Sequence, residues 1–256
     1  MSDLKTNLPR THSLLEAGIE KGLHPGAQIY VSFNSQVMAD DGIGESRPSV
    51  LMDSSAITLW MSATKPVTSV LFAQAWERDE VALDTPVAEI VPEFASHGKT
   101  AVTFQHILTH TNGFRMEPPD LDTLDWSSTV EQICASPLEP DWVPGEKAGY
   151  HPVTSWYILA EAVSRISCST FPELVQTQIF DPLQMDDTWI GIPEPTHFSY
   201  GDRVARMYNT FNGSIPDDSL NSAEAAARDT PAATAEGRSA NWVASTRCCL
   251  LAAKAS

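Results

Sequence analysis

The residues in this chain best suited to chemistry are Ser62-Ala63-Thr64-Lys65. A serine hydroxyl is a weak nucleophile until a nearby base takes its proton. A lysine can be that base only if burial and neighbouring positive charge bring its pKa well below the free value of about 10.4. The motif follows the apolar Leu59-Trp60-Met61 and leads into a helical pattern, so Ser62 is expected at a helix N-terminus with Lys65 on the same side three residues on. The field of a helix N-terminus favours a developing alkoxide and then an oxyanion. Pro66 agrees with this placement, because proline is tolerated in the first helical turn. Ser96-His97-Gly98-Lys99 has the same spacing, but it lies in a polar stretch with no helix behind it and no apolar frame to desolvate a lysine.

Other constellations fail on chemical grounds. His106 and His110 have the one-turn spacing of paired zinc ligands, yet Ile107 stands where a metalloprotease helix carries glutamate and no third ligand suggests itself, so no metal is expected. Gly44-Glu45-Ser46-Arg47-Pro48 is the nearest approach to a nucleophile elbow, and Gly-rich phosphate loops are absent. An α/β-hydrolase and nucleotide-dependent enzymes are thereby excluded, and no cofactor is expected. A formal charge of −17 argues against nucleic acid as a partner. The first residues contain no apolar run of signal-peptide or membrane-span length, so a cytoplasmic location and no membrane partner are expected. Cys134, Cys168, Cys248 and Cys249 match neither a zinc site nor a disulfide framework and read as reduced thiols.

The elements that position the motif follow from periodicity. Ser13 with Glu16 reads as a capping box opening a helix through Lys21, with Gly22 as its stop. Ala27, Ile29, Val31 and Phe33 alternate with Gln28, Tyr30 and Ser32 as a half-buried strand, and Asn34-Ser35 turns it into a partner over 36–40. Gly42 to Ser49 reads as a polar connection. Val67, Val70, Leu71, Gln74 and Ala75 trace one helix, and Val153, Trp156, Tyr157, Ala160, Val163 and Ile166 trace another. From Asn221 onward alanines lie among Asp, Thr, Pro and Glu, and this stretch is expected to pack poorly.

Several further segments occur in order along the chain: Leu83-Asp84-Thr85-Pro86-Val87, Leu108-Thr109-His110-Thr111-Asn112-Gly113-Phe114, Pro144-Gly145, Tyr150, and the run from Asp181 to Thr188. Together with the first motif they resemble the serine β-lactamase and penicillin-binding-protein-like family, nearest to class C β-lactamases and their esterase and transesterase relatives, over residues 13–195. The resemblance implies an α+β fold, with an antiparallel sheet and a large helical region over about 55–200. It implies that Ser62 forms an acyl-enzyme, that Lys65 accepts its proton, and that Tyr150 relays protons to the leaving group and from the incoming nucleophile. Tyr150 stands at a loop-to-helix junction, where a phenol can project into a cleft and a neighbouring lysine cation favours its phenolate.

The family usually carries Tyr-x-Asn, whereas this chain has Tyr150-His151-Pro152, and a proline offers no side-chain hydrogen bond to hold a lactam amide. That shifts the expected substrate from β-lactams towards a small acyl ester, thioester or amide. His151 is a candidate substrate contact through a proton donor, with a solvent-facing loop position as its other reading. Trp60, Phe114 and Arg115 are candidates for the pocket lining, and both aromatics read equally well as core. No Lys-Thr-Gly or His-Thr-Gly occurs, so the family's oxyanion strand has no counterpart. Residues 1–220 are thus expected to form an incomplete domain of this type with C-terminal sheet strands missing, followed by a poorly packed tail over 221–256. Three functions follow: serine-dependent acyl transfer by an esterase-like hydrolase or transesterase, a catalytically impaired fragment acting as a binding module, and β-lactam hydrolysis.

Overall fold

The computed structural model describes residues 3–115, 125–209 and 215–244. Its strands are β1 Gly26–Phe33, β2 Gln36–Arg47, β3 Val50–Leu51, β4 Thr58–Leu59, β5 Trp189–Ile190, β6 Tyr208–Asn209, β7 Ile215–Pro216 and β8 Ala235–Gly237. The first helices are α1 Leu4–Asn7, α2 Pro9–Glu20, α3 Lys65–Glu77, α4 Val87–Ile90 and α5 Phe104–Leu108. They are followed by α6 Trp126–Ala135, α7 Thr154–Ser167, α8 Phe171–Val175, α9 Glu194–Tyr200 and α10 Ala223–Ala226. The chain forms two compact units, a sheet-bearing one from residues 1–60, 180–228 and 234–256 and a helical one from residues 61–179 and 229–233.

In the sheet-bearing unit, β1, β2 and β3 pair antiparallel in that order. Asn34 and Ser35 have φ of 47° and 63°, the two left-handed residues that a tight hairpin turn requires. A register shift between Val31 and Ser32 bends the pair. β2 runs on to Arg47, through residues that read as a loop. The glycines there permit close backbone approach rather than a break: a Cβ on Gly42 would lie 2.4 Å from the Met52 carbonyl oxygen, and one on Gly44 would lie 2.3 Å from that of Pro25. α2 begins four residues earlier than Ser13 because Pro9 supplies its first turn, and Glu16 pairs with His12 at 3.1 Å instead of capping.

A second antiparallel sheet, in the order β4-β8-β5, sets Leu59 and Trp189 on either side of Glu236. Its middle strand comes from the stretch expected to pack poorly. That expectation is corrected over these residues: Ala225, Ala226, Ala235 and Glu236 are all buried, and Ser222 caps α10 through the Ala225 N–H at 3.0 Å. Alanine there is the small residue of closely packed backbone, which composition alone cannot distinguish from disorder. Cys248 and Cys249 lie outside the described residues.

In the helical unit α3 packs on α7. α3 buries Val67, Val70, Leu71, Phe72 and Ala75, and Phe72 meets Phe104 with ring centroids 5.0 Å apart. α7 is buried on nearly every side as far as Val163 and stops where Cys168 turns left-handed at φ 52°. The second Ser-x-x-Lys stretch proves to be a brace for α6. Lys99 is fully buried and its Nζ donates to the carbonyls of Cys134, at 2.9 Å, and Ser136, while Ser96 Oγ donates to the same Cys134 carbonyl at 2.7 Å. Both side chains satisfy the open C-terminal end of that helix. Cys134 is buried and its thiol is pushed up to about 11, chiefly by burial, so it is inert at neutral pH.

Candidate active site

Ser62, the candidate nucleophile, lies in the turn that leads into α3, next to the helix N-terminus. Met61–Thr64 forms a single 3₁₀ turn that runs directly into α3. Met61 holds φ at 49°, a left-handed conformation uncommon for a residue with a side chain, so the turn that presents Ser62 is strained. Ser62 is exposed, and Lys65 lies beneath it with only 5% of its surface accessible. Lys65 Nζ is 2.9 Å from Ser62 Oγ and 3.2 Å from the carbonyl oxygen of Ala232. It also faces the rings of Tyr150 and Trp156, at 5.1 and 5.8 Å from their centroids.

Tyr150 completes the cluster, its phenol oxygen 2.6 Å from Ser62 Oγ. Burial pushes that phenol up, but hydrogen bonds with Lys65 and Ser62 and the Lys65 charge outweigh it and bring the pKa below its ordinary value. The serine oxygen is therefore within hydrogen-bond distance of two nitrogen or oxygen groups that can exchange protons with it. With Lys65 as an ammonium, a Tyr150 phenolate can take the serine proton; with Tyr150 neutral, a free-base Lys65 can do so.

The turn after α5 holds the loop that carries Tyr150. The carbonyls of His110, Thr111 and Gly113 accept from the N–H groups of Gly149, Gly145 and Glu139 at 3.0, 3.1 and 2.8 Å, and Trp142 Nε1 donates to Thr111 at 3.0 Å. Gly113 has φ of 84°, and a Cβ there would lie 2.2 Å from the Trp142 ring, so the Leu-Thr-His-Thr-Asn-Gly segment needs glycine at its end.

The candidate binding residues fare differently. His151 is fully buried, neither solvent-facing nor open to a ligand: its Nε2 accepts the Gly113 N–H at 3.0 Å. Burial, with smaller contributions from neighbouring charges, lowers its pKa to about 4, so it stays neutral and locks the turn to the tyrosine loop. Phe114 is core, packed edge-on against Phe94 at 5.0 Å. Arg115 is held by Glu139, with Nε 2.6 Å from a carboxylate oxygen, and lies over Trp142. Trp60 belongs to the sheet-bearing unit and is buried, its indole N–H donating to Gly237 at 3.2 Å. Each of these side chains already has a structural partner, which sequence could not show because every partner lies far along the chain. Sequence reasoning gave no site role to Trp156, which it read only as part of the helix stripe, to the Ala232 carbonyl, or to His110, weighed only as a zinc ligand and set aside though it stands in the Leu-Thr-His-Thr-Asn-Gly segment.

The mixed helical and antiparallel architecture and the serine–lysine–tyrosine cluster define the class of β-lactamase and penicillin-binding-protein folds. A family model described as Beta-lactamase matches residues 12–247, and the chain belongs to that family. The match continues past residue 195, where the resemblance was expected to stop, and takes in most of the Ala-rich stretch. A Beta-lactamase of Escherichia coli (strain K12) is 28% identical over 157 residues, covering 60% of this chain and 41% of that protein. Esterase EstB of Burkholderia gladioli is 27% identical over 158 residues, covering 54% of this chain and 39% of the esterase. A solved penicillin-binding-protein homologue from Caulobacter crescentus superposes with a TM-score of 0.74 at 28% identity, over 90% of this chain and 66% of its own. The chain thus spans about two fifths of the length of the curated relatives it matches. Among the described residues no helix is long and apolar enough to cross a membrane.

Proposed function

We propose that this chain is a serine-dependent acyl-transfer enzyme, an esterase-like hydrolase or transesterase working through an acyl-Ser62 intermediate. The observation that carries the proposal is the approach of both Lys65 Nζ and Tyr150 OH to Ser62 Oγ, at 2.9 and 2.6 Å. Ser62 Oγ attacks the acyl carbon of an ester, thioester or amide as its proton passes to Lys65 or Tyr150. The bond to the leaving group then breaks, and the departing oxygen, sulfur or nitrogen takes up that proton. Water or an alcohol next gives its proton to the same pair and attacks the acyl carbon; the acyl–Oγ bond breaks, and Ser62 Oγ takes that proton back as it leaves. The Ser62 N–H at the strained turn is one donor for the oxyanion formed in each half.

Pro152 favours esters over β-lactams, since it has no side-chain donor or acceptor to hold a lactam amide. β-Lactam hydrolysis is the second reading, favoured by the family and by the Escherichia coli relative. A fluorophosphonate probe that labels the wild type but not Ser62→Ala supports acyl transfer, and equal labelling of both refutes it. Turnover of p-nitrophenyl acetate well above that of nitrocefin supports the ester assignment, and the reverse order selects the lactamase.

A further inference from the structure

Tyr150 is 54% exposed and sits in a loop, so something outside the loop must hold its phenol against Ser62. His110 does this from both sides. Its carbonyl accepts the N–H of Gly149, the residue before Tyr150, at 3.0 Å, and its Nδ1 accepts the N–H of His151, the residue after it, at 3.2 Å. Its ring packs against both neighbours in that loop, 5.0 Å from the Tyr150 ring and stacked on His151 at 5.9 Å with 13° between the planes. Trp156 backs it at 5.6 Å. His110 is itself left-handed, at φ 57°, a conformation that persists only where the surrounding contacts hold it.

We propose that His110 is a positioning residue that fixes the Tyr150 phenol on Ser62 by accepting the His151 N–H through Nδ1. The inference rests on the acyl-transfer reading for its effect on rate, but the clamp exists independently of it. An Nδ1 that accepts must be unprotonated, so the ring is neutral with its proton on Nε2. Burial first, and then the nearby Lys65 charge, holds its pKa below the ordinary histidine range, in agreement with that tautomer. Loosening the loop lets the phenol drift, and a misplacement of about 1 Å in a catalytic group costs roughly 100-fold.

The test compares His110→Gly with His110→Asn. Both accept φ near 57°, but only asparagine places an acceptor oxygen where Nδ1 was. The first readout is amide exchange by NMR. In His110→Gly the His151 amide should exchange at least about 10-fold faster while the Gly149 amide, bonded to the backbone carbonyl, keeps its protection. In His110→Asn both amides should match wild type. The second readout is p-nitrophenyl ester hydrolysis: kcat should fall about 10- to 100-fold in His110→Gly with KM within about twofold, and return to within about threefold of wild type in His110→Asn. Should His110→Gly not fold, His110→Gln replaces it, because its acceptor extends one atom too far to reach the His151 N–H. Unchanged His151 exchange and kcat in a folded glycine or glutamine variant, or a folded asparagine variant no better than it, overturns the proposal. Absence of Ser62-dependent labelling in wild type would instead sink the acyl-transfer reading, and the exchange comparison would still decide whether the clamp exists.

Discussion

Glu236 should make the protein less stable as the pH rises through neutrality. The carboxyl is 5% accessible in the middle strand of the β4-β8-β5 sheet, and burial alone raises its pKa from 4.5 to about 7. Below pH 4.5 the group is neutral both folded and unfolded, so nothing is lost. Between 4.5 and 7 the unfolded chain releases the proton while the fold retains it, and stability falls with each increment of pH. Above 7 the full difference is felt. At about 1.36 kcal/mol per pH unit the loss is about 3 kcal/mol. Glu236→Gln keeps the shape and cannot ionise, so it should match wild type near pH 4.5 and exceed it by about 3 kcal/mol at pH 8, or about 6–12 °C in melting temperature. Urea unfolding of both proteins at pH 4.5, 6 and 8 measures the difference directly. Curves that stay parallel across that range would show that the carboxylate reaches water in the folded state, and the reasoning would fail.

Tyr150→Phe should lower kcat for p-nitrophenyl esters by about 10²- to 10⁴-fold and abolish any rise in rate with pH due to phenol ionisation, which in wild type should occur below pH 10 because the phenol is held below its ordinary value; a pH–rate profile checks both. Ser96→Ala should leave ester turnover within about twofold and cost roughly 1 kcal/mol in urea unfolding, since its hydroxyl only braces α6. Lys99→Met should cost about 2 kcal/mol by stripping buried carbonyls of their donor, with unchanged probe labelling of Ser62. Gly113→Ala should destabilise by about 2–4 kcal/mol, from the left-handed backbone and the clash with Trp142, and a melting curve will show it.

What could be read in the chain was whatever depends on neighbours in sequence. Ser62 and Lys65 share a turn, Asn34-Ser35 is a two-residue turn, and the α7 stripe is a local period. Each appears in the structure as expected, with Ile166 only half-buried at the end of the stripe. What escaped depends on residues far apart. The hairpin glycines read as loop signals because the carbonyls that crowd them come from Pro25 and Met52. His151 read as a surface residue because its acceptor role is set by Gly113, 38 positions earlier. Arg115 looked available until Glu139 closed on it, and the Ala-rich stretch gave no strand signal because β8 is three residues long and held by two strands from elsewhere in the chain.

The pairing of β8 also fixes an order of events. Trp60 N–H meets a carbonyl 175 residues later in sequence, its indole one 177 residues later, and Lys65 finds the Ala232 carbonyl 167 residues on. On a ribosome, residues 61–179 are made as one run and can collapse through local contacts while β4 waits for its neighbour. Until residue 232 has emerged, Lys65 lacks one of its acceptors, and until residue 237 has emerged, β4 and β5 have unpaired edges. The nascent chain thus has residues 61–179 in hand before Lys65 has all its acceptors, and until β8 is made the edges of β4 and β5 stay unpaired.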